Sequence, residues 1–384
     1  MAVINRIAGF AEEMTGWRRH LHRHPELCLE CYETAAFVVD RLRSFGITDI
    51  HEGIATSGVV AVIEGQGDGP VTGLRADMDA LPMHEETGAE WASTVPGRMH
   101  ACGHDGHTSM LLGAAKYLAE TRRFTGRVVL IFQPAEETIG GGRIMVEEGI
   151  MDRFGIEEAY ALHTDPFCPL GEFRTTPGPI MAAADEFRVT VKGHGGHAAY
   201  PQICRDPMPA ALAIGQALQT VVSRNTDPLA ALVVSLTLFQ GGSASNIIPD
   251  SVTLGGTVRS LTPEVRDMAQ TRITQIVSSI AEGYGVEGIL DYERNYPPTI
   301  NHAEQTRFAA QIAREVSPLV TDDMIPEMGA EDFAYMLETR PGAFLFLGQG
   351  HGPSVHHAGF DFNDAAAPIG ASFFARLIEQ RHAL

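Results

Sequence analysis

Between residues 128 and 132 the chain reads VVLIF, five apolar side chains without a break, and QPAEE follows directly. A strand with one face in water alternates apolar and polar residues. An unbroken run belongs to a strand covered on both faces, as in a parallel sheet with helices on either side. Similar short runs stand at 58–64, 71–75 and 159–163, separated by helix-period stretches at 3–22, 33–45, 105–120 and 141–149. Strand and helix alternate, which predicts an α/β domain.

The pattern changes near residue 184. EFRVTVK (186–192) alternates like a half-exposed strand, and a helix is expected at 207–223 with Met208, Leu212, Ile214, Leu218 and Val221 on its apolar face. Strands at 230–239 and 251–259 precede a second helix, capped by Thr262 with Pro263 in its first turn. Gly283 and Gly285 end it before a strand at 286–294. The order β-α-β-β-α-β is that of a small ferredoxin-like module. Helices at 302–316 and 369–381 and a strand at 343–348 then resume the α/β pattern. A chain of 384 residues exceeds one typical core. The expected organisation is a discontinuous large domain, 1–183 with 297–384, carrying a mixed, mostly parallel sheet, into which 184–296 is inserted.

Twenty-eight basic against 48 acidic residues give a formal net charge of −20. Such a surface repels phosphate backbones and anionic lipid, so neither nucleic acid nor membrane is an expected partner. A local arginine or a metal can still hold a small anionic substrate. Cys28, Cys31, Cys102, Cys168 and Cys204 show no disulfide-framework spacing, and Glu12 and Glu13 stand where a signal peptide needs an apolar run. Both features point to a reduced, cytoplasmic protein.

MHACGHDGH (99–107) holds Cys102, His104 and His107 within six positions. Thiolate and neutral imidazole are ligands for zinc and related ions. Read by itself, the segment also suits a buried cysteine beside a helix start capped by Asp105. In QPAEE, Glu136 and Glu137 follow the buried strand at its carboxyl end, where open α/β sheets hold their ligands. Neighbouring residues point apart, so one carboxylate can bind a metal while the other takes a proton from water; a solvated acidic loop is the plainer alternative. LHTD (162–165) brings His163 to another strand end, and the pair His356–His357 lies in a polar loop before FDFND. Each segment is weak alone, but together four loops of one domain each offer a soft or acidic ligand.

HLHRHPEL (20–27), LRADMDALP (74–82), MHACGHDGH (99–107), IFQPAEE (131–137), KGHGGHAAYP (192–201), SNIIPD (245–250), GTVRS (256–260), MGAEDF (328–333) and FDFNDAAAPIGAS (360–372) occur in order across nearly the whole chain. Together they resemble the hippuricase-like, or indole-acetyl-amino-acid hydrolase-like, amidohydrolases of the M20 metallopeptidase clan. The resemblance implies a catalytic domain holding two divalent ions (zinc, manganese, nickel or cobalt) on Cys102, His104, Glu137, His163 and His356, with Glu136 as general base. It implies that 184–296 is a lid or dimerisation domain of a homodimer or homotetramer. His197 would polarise the substrate carbonyl, and Asn246 and Arg259 would contact substrate, Arg259 at a carboxylate. Asp77 and Asp79 would support the metal site from behind. The implied reaction is cleavage of the amide bond of N-acyl amino acids (hippurate-like, N-acetyl or indole-acetyl) to a carboxylic acid and a free amino acid.

Two positions depart from the family pattern: Cys31 stands where many relatives carry Glu, and His194 where Lys or another polar residue is common. His20, His22 and His24 look like an extra metal cluster, but on a helix only 20 and 24 share a face, and a structural or supporting duty is expected. Two rivals to the hydrolase reading are a thiol hydrolase with Cys102 as nucleophile and a non-catalytic binder of amino-acid conjugates. An intact Glu136 argues against the binder.

Overall fold

The computed structural model describes residues 1–384. The chain divides into two compact units, one of Met1–Ile180, Ile300–Ile325 and Asp332–Leu384, the other of Met181–Thr299 with Pro326–Glu331.

In the first unit the VVLIF run lies within the strand Arg127–Gln133, buried except at Arg127. It pairs in parallel with Val71–Asp77, which pairs in parallel with Glu158–Asp165, which pairs in parallel with Gly342–Gly348. These four strands form the centre of an eight-stranded sheet. Their carboxyl ends share one edge, and the segments that leave that edge carry Asp79, Glu136 and the 349–357 loop. Antiparallel Gly58–Glu64 and Asp49–Ile54 extend one side. Asp49–Ile54 has no counterpart among the expected strands. It is an outer strand with Asp49, Glu52 and Gly53 exposed, so it lacks the apolar run that marks the inner ones. The helix expected over 3–22 is two helices, Asn5–Ala8 and Ala11–Arg23. The break at Gly9 turns Phe10 into the core, where it is 3 % exposed.

The helix His104–Thr121 is almost wholly buried. It runs between the sheet and the helices Ala11–Arg23 and Ala367–Arg381, and small residues allow the close approach. A Cβ on Gly106 would come within 2.3 Å of the Phe362 ring. Gly106→Ala is therefore expected to destabilise the fold by about 1–3 kcal/mol through overpacking. Denaturant unfolding checks this; an unchanged midpoint would mean that Phe362 moves aside freely.

The second unit holds the antiparallel strands Leu232–Gly241, Ser251–Ser260, Ala183–Lys192 and Glu287–Arg294, in that spatial order. Two helices, Pro207–Thr220 and Pro263–Gly283, pack on Phe187, Val189 and Val191. This is the expected ferredoxin-like arrangement. Thr262 Oγ1 caps the second helix by accepting from Val265 N–H at 3.4 Å. The apolar face of the first helix differs from expectation: Leu212 is 58 % exposed, and the buried stripe is Ala210, Ala211, Ile214, Leu218 and Val221. Steps of three and four from Ile214 select that stripe and leave Leu212 on the far side. The helix proper stops at Thr220, and Val221–Asn225 form a π-helical turn. No helix of the chain is long and apolar enough to cross a membrane.

Candidate metal centre

Gly103 adopts φ +86°, and a Cβ there would meet Thr164 Cγ2 at 2.6 Å. Only glycine fits, and the turn it makes brings Cys102 and His104 to the same side. Cys102 Sγ lies 3.3 Å from His163 Nε2. His163 donates from Nδ1 to the carbonyl of Thr164 at 2.8 Å, so its Nε2 lone pair faces the cysteine. His104 donates from Nδ1 to the carbonyl of Asp79 at 2.9 Å. Its Nε2 lies 3.6 Å from Asp77 Oδ2 and 3.8 Å from Glu137 Oε1.

After Gln133 the chain turns through Ala135 at φ +59°, and Asp79 fixes the loop with both oxygens. Oδ1 accepts from Glu136 N–H at 3.0 Å and Oδ2 from Glu137 N–H at 3.2 Å. Glu137 Oε1 is 3.0 Å from His356 Nε2. His356 also sits at positive φ, +61°, a strained conformation for a residue with a Cβ. Its N–H is tied to Ala101 O at 2.7 Å. His357 is exposed and accepts from Gly359 N–H instead. Ligand atoms of Cys102, His104 and His163 lie within 4.8 Å of one another, as do those of Cys102, Glu137 and His356, and those of His104, Glu136 and Glu137. Cys102, His104, Glu136, Glu137, His163 and His356, singled out in the sequence, are thus brought together.

A cation fits this cluster. His104 Nε2 is buried with no hydrogen-bond partner. Burial opposes a charge on His104, yet Asp77, Asp79 and Glu137 outweigh it and push its pKa up to about 10. The same anionic surroundings act on Cys102: burial first, then Glu137 and Glu136, hold its thiol well above the usual range. Positive charge is what both groups call for, and a metal ion takes the place of such protons. A nucleophilic cysteine needs the opposite, a depressed pKa, so the surroundings of Cys102 speak against the thiol-hydrolase reading. Two oriented imidazoles, a thiol and a carboxylate make the donor set of a divalent-metal centre.

His107 is not part of that set. Its Nε2 accepts from Thr164 N–H at 2.9 Å and its Nδ1 donates to Asp77 Oδ1 at 2.7 Å. Asp77 in turn receives Arg75 at 2.7 Å. Arg75 also donates to Gln133 Oε1 at 2.9 Å and to Asp332 Oδ1 at 2.8 Å, while Asp332 Oδ2 accepts from Gly142 N–H at 2.7 Å. This buried lattice joins the strand ends behind Asp79 and the Glu136–Glu137 loop. Asp77, Asp79, Gln133 and Asp332 belong to quoted motifs, but nothing in the sequence reveals the contact between Arg75 and Asp332.

Asp105 does not cap its helix; Gly103 occupies the cap position. Asp105 instead accepts from His22 Nδ1 at 2.7 Å, and His22 Nε2 reaches Glu85 at 3.2 Å. Burial disfavours a charge on His22, but Asp105 and Glu85 prevail and hold its pKa up at about 9. The raised value means that the stabilisation is complete below the unfolded pKa near 6.5 and is lost as pH rises through about 9. The contribution is on the order of 3 kcal/mol. The wild type should lose about that much stability relative to His22→Gln between pH 6.5 and pH 9. Parallel stability curves for the two proteins across this window would refute the assignment.

In the second unit, Gly196–His197 pairs with Ile247–Ile248, and Ala198 N–H donates to Asn246 O at 3.0 Å. His197 and Asn246 are therefore neighbours, and both are exposed. Arg259 is half-buried near the other end of Ser251–Ser260, opposite Ala184. It donates to the Thr257 hydroxyl and to Val258 O.

A mostly parallel sheet whose carboxyl edge gathers such donors around a pair of adjacent glutamates has the layout of a metal-dependent hydrolase. Residues 73–380 match Peptidase family M20/M25/M40, and the chain belongs to this family. It is 40 % identical over 364 residues to N-acetyl-L-cysteine deacetylase of Bacillus subtilis, covering 94 % of this chain and 86 % of that one. It is 37 % identical over 379 residues to hippurate hydrolase of Campylobacter jejuni, covering 98 % of each. Among solved structures it resembles the YXEP protein of Bacillus subtilis, a dinuclear metal binding peptidase of the M20 family. The TM-score is 0.87 at 33 % identity, over 98 % of this chain and 99 % of that one.

Proposed function

We propose that the protein hydrolyses the amide bond of N-acyl amino acids at a centre of two divalent cations, releasing a carboxylic acid and a free amino acid. The observation that carries this reading is the pair Glu136–Glu137, both held by Asp79, with Glu137 turned to His356 and His104 and Glu136 beside it. Cys102, His104, Glu137, His163 and His356 would hold the ions, and such a donor set suits zinc, manganese, nickel or cobalt. When bound, the ions supply Lewis acidity that polarises the scissile carbonyl and lowers the pKa of water toward about 7. Glu136 accepts the proton of the attacking water and delivers it to the departing amine. His197 donates a hydrogen bond to the oxygen that gains charge, and Asn246 and Arg259 hold the rest of the substrate, Arg259 at its carboxylate. The substrate class follows the named activities of the relatives, which range from an acetyl to a benzoyl amide. Five free thiols suit a reducing cytoplasm.

Spacing within the second unit supports a homodimer. Arg259 stands eight positions beyond Ser251 along one strand, roughly 26 Å at the usual rise, whereas His197 and Asn246 sit near the other end. One small substrate that meets all three would draw them from two copies of the chain. A mixed dimer of His197→Ala and Glu136→Gln chains should then recover activity that neither parent has. The activity itself is tested by amine release from a panel of hippurate, N-acetyl amino acids, an acetylated diamino acid and indole-acetyl conjugates. No release from any member, with metal bound, would move the substrate outside this class.

A further inference from the structure

His20, His22 and His24 divide between two duties. His22 turns inward to Asp105 and Glu85. His20 and His24 lie four residues apart on the outer face at the end of the helix Ala11–Arg23, with ring centroids 4.6 Å apart. Neither belongs to the centre at the sheet edge. His24 donates from Nδ1 to the carbonyl of His20 at 2.8 Å, which leaves its Nε2 lone pair free. A backbone acceptor on the second ring nitrogen is how metal-binding histidines are commonly oriented. His20 stacks on Phe37, 4.5 Å between centroids and 18° between planes, and this contact fixes its ring as well. Partial burial, with His24 and Arg41, lowers the pKa of His20, which favours the neutral, ligating imidazole.

Glu33, from the first turn of the next helix, lines a recess of about 140 Å³ together with His20, His24, Leu21 and Thr34. Arg41 and Arg23 oppose a cation there; Glu33 and the negative end of the helix dipole favour one. Two imidazole rings 4.6 Å apart suit a borderline transition ion and leave positions for water, while Glu33 contributes its charge.

We propose that His20 and His24, assisted by Glu33, form an ancillary site for a divalent transition cation such as Zn²⁺, Ni²⁺ or Cu²⁺, distinct from the catalytic centre. An ion bound there would bridge the two histidines and stabilise the end of the helix by mass action.

The test uses the full-length holoprotein with its catalytic centre filled, titrated with Ni²⁺ by calorimetry. One further ion per chain is expected, with a rise in unfolding temperature. His20→Gln and His24→Gln, singly or together, should abolish the uptake, and Glu33→Gln should weaken it. Hippurate or N-acetyl amino acid turnover, or circular dichroism if none of these is a substrate, verifies that the variants are folded. Absence of an additional ion in the wild type, or undiminished uptake by the double variant, would overturn the proposal, and neither result would bear on the amidohydrolase reading.

Discussion

Glu136→Gln is expected to lower kcat by about 10²–10⁴-fold while metal content stays at the wild-type level. Glutamine keeps the shape and the backbone hydrogen bond to Asp79 but accepts no proton from water. Glu136 is 6 % exposed and its N–H is tied down at 3.0 Å, so the substitution should leave the loop in position. The neighbouring residue is expected to respond differently to the same substitution. Glu137 shares its surroundings with His104, His356 and Cys102, and Glu137→Gln should lose metal as well as turnover. Metal analysis beside steady-state kinetics separates the two. If Glu136→Gln turned over normally, the proton would be moving through another group.

Arg75→Leu is expected to cost about 3–5 kcal/mol of stability, the penalty for leaving buried carboxylates without their counter-charge. Arg75, Asp77 and Asp332 have fully buried side chains. Burial alone would raise the pKa of Asp77, and Arg75, followed by His104 and His107, brings it well below the usual carboxylate range. Leucine fills much of the space but removes the guanidinium from both carboxylates, leaving Asp77 with His107 and Asp332 with Gln133 and the Gly142 N–H. Against a typical total of about 5–15 kcal/mol, that loss is large. Chemical denaturation measures it directly; a cost under about 1 kcal/mol would mean that water or protonation relieves the pair cheaply.

The parts of this protein that the sequence reveals are those where one physical requirement shapes a contiguous stretch. VVLIF reads as an inner strand because two covered faces tolerate no polar residue. Cys102-Gly103-His104 is legible because a thiol and an imidazole flank one glycine turn. Polar Asp49–Ile54 escapes notice because an outer strand can be wet on most of its surface. The break at Gly9 and the exposure of Leu212 are set by packing against distant segments. The lattice behind the site joins Arg75 to Asp332, 257 residues away, and no local pattern carries such a distance. Likewise Pro326–Glu331 clusters with the second unit although it lies well outside the inserted segment in the chain.

The proposed divalent-metal centre on Cys102, His104, Glu137, His163 and His356 is what would drive amide hydrolysis. The most direct measurement is amine release from a cleaved N-acyl amino acid on one metal-analysed sample, before chelation, after chelation, and after the metal is restored. Activity that falls with metal content and returns with it is the expected result. Full turnover by the metal-free protein would contradict the claim.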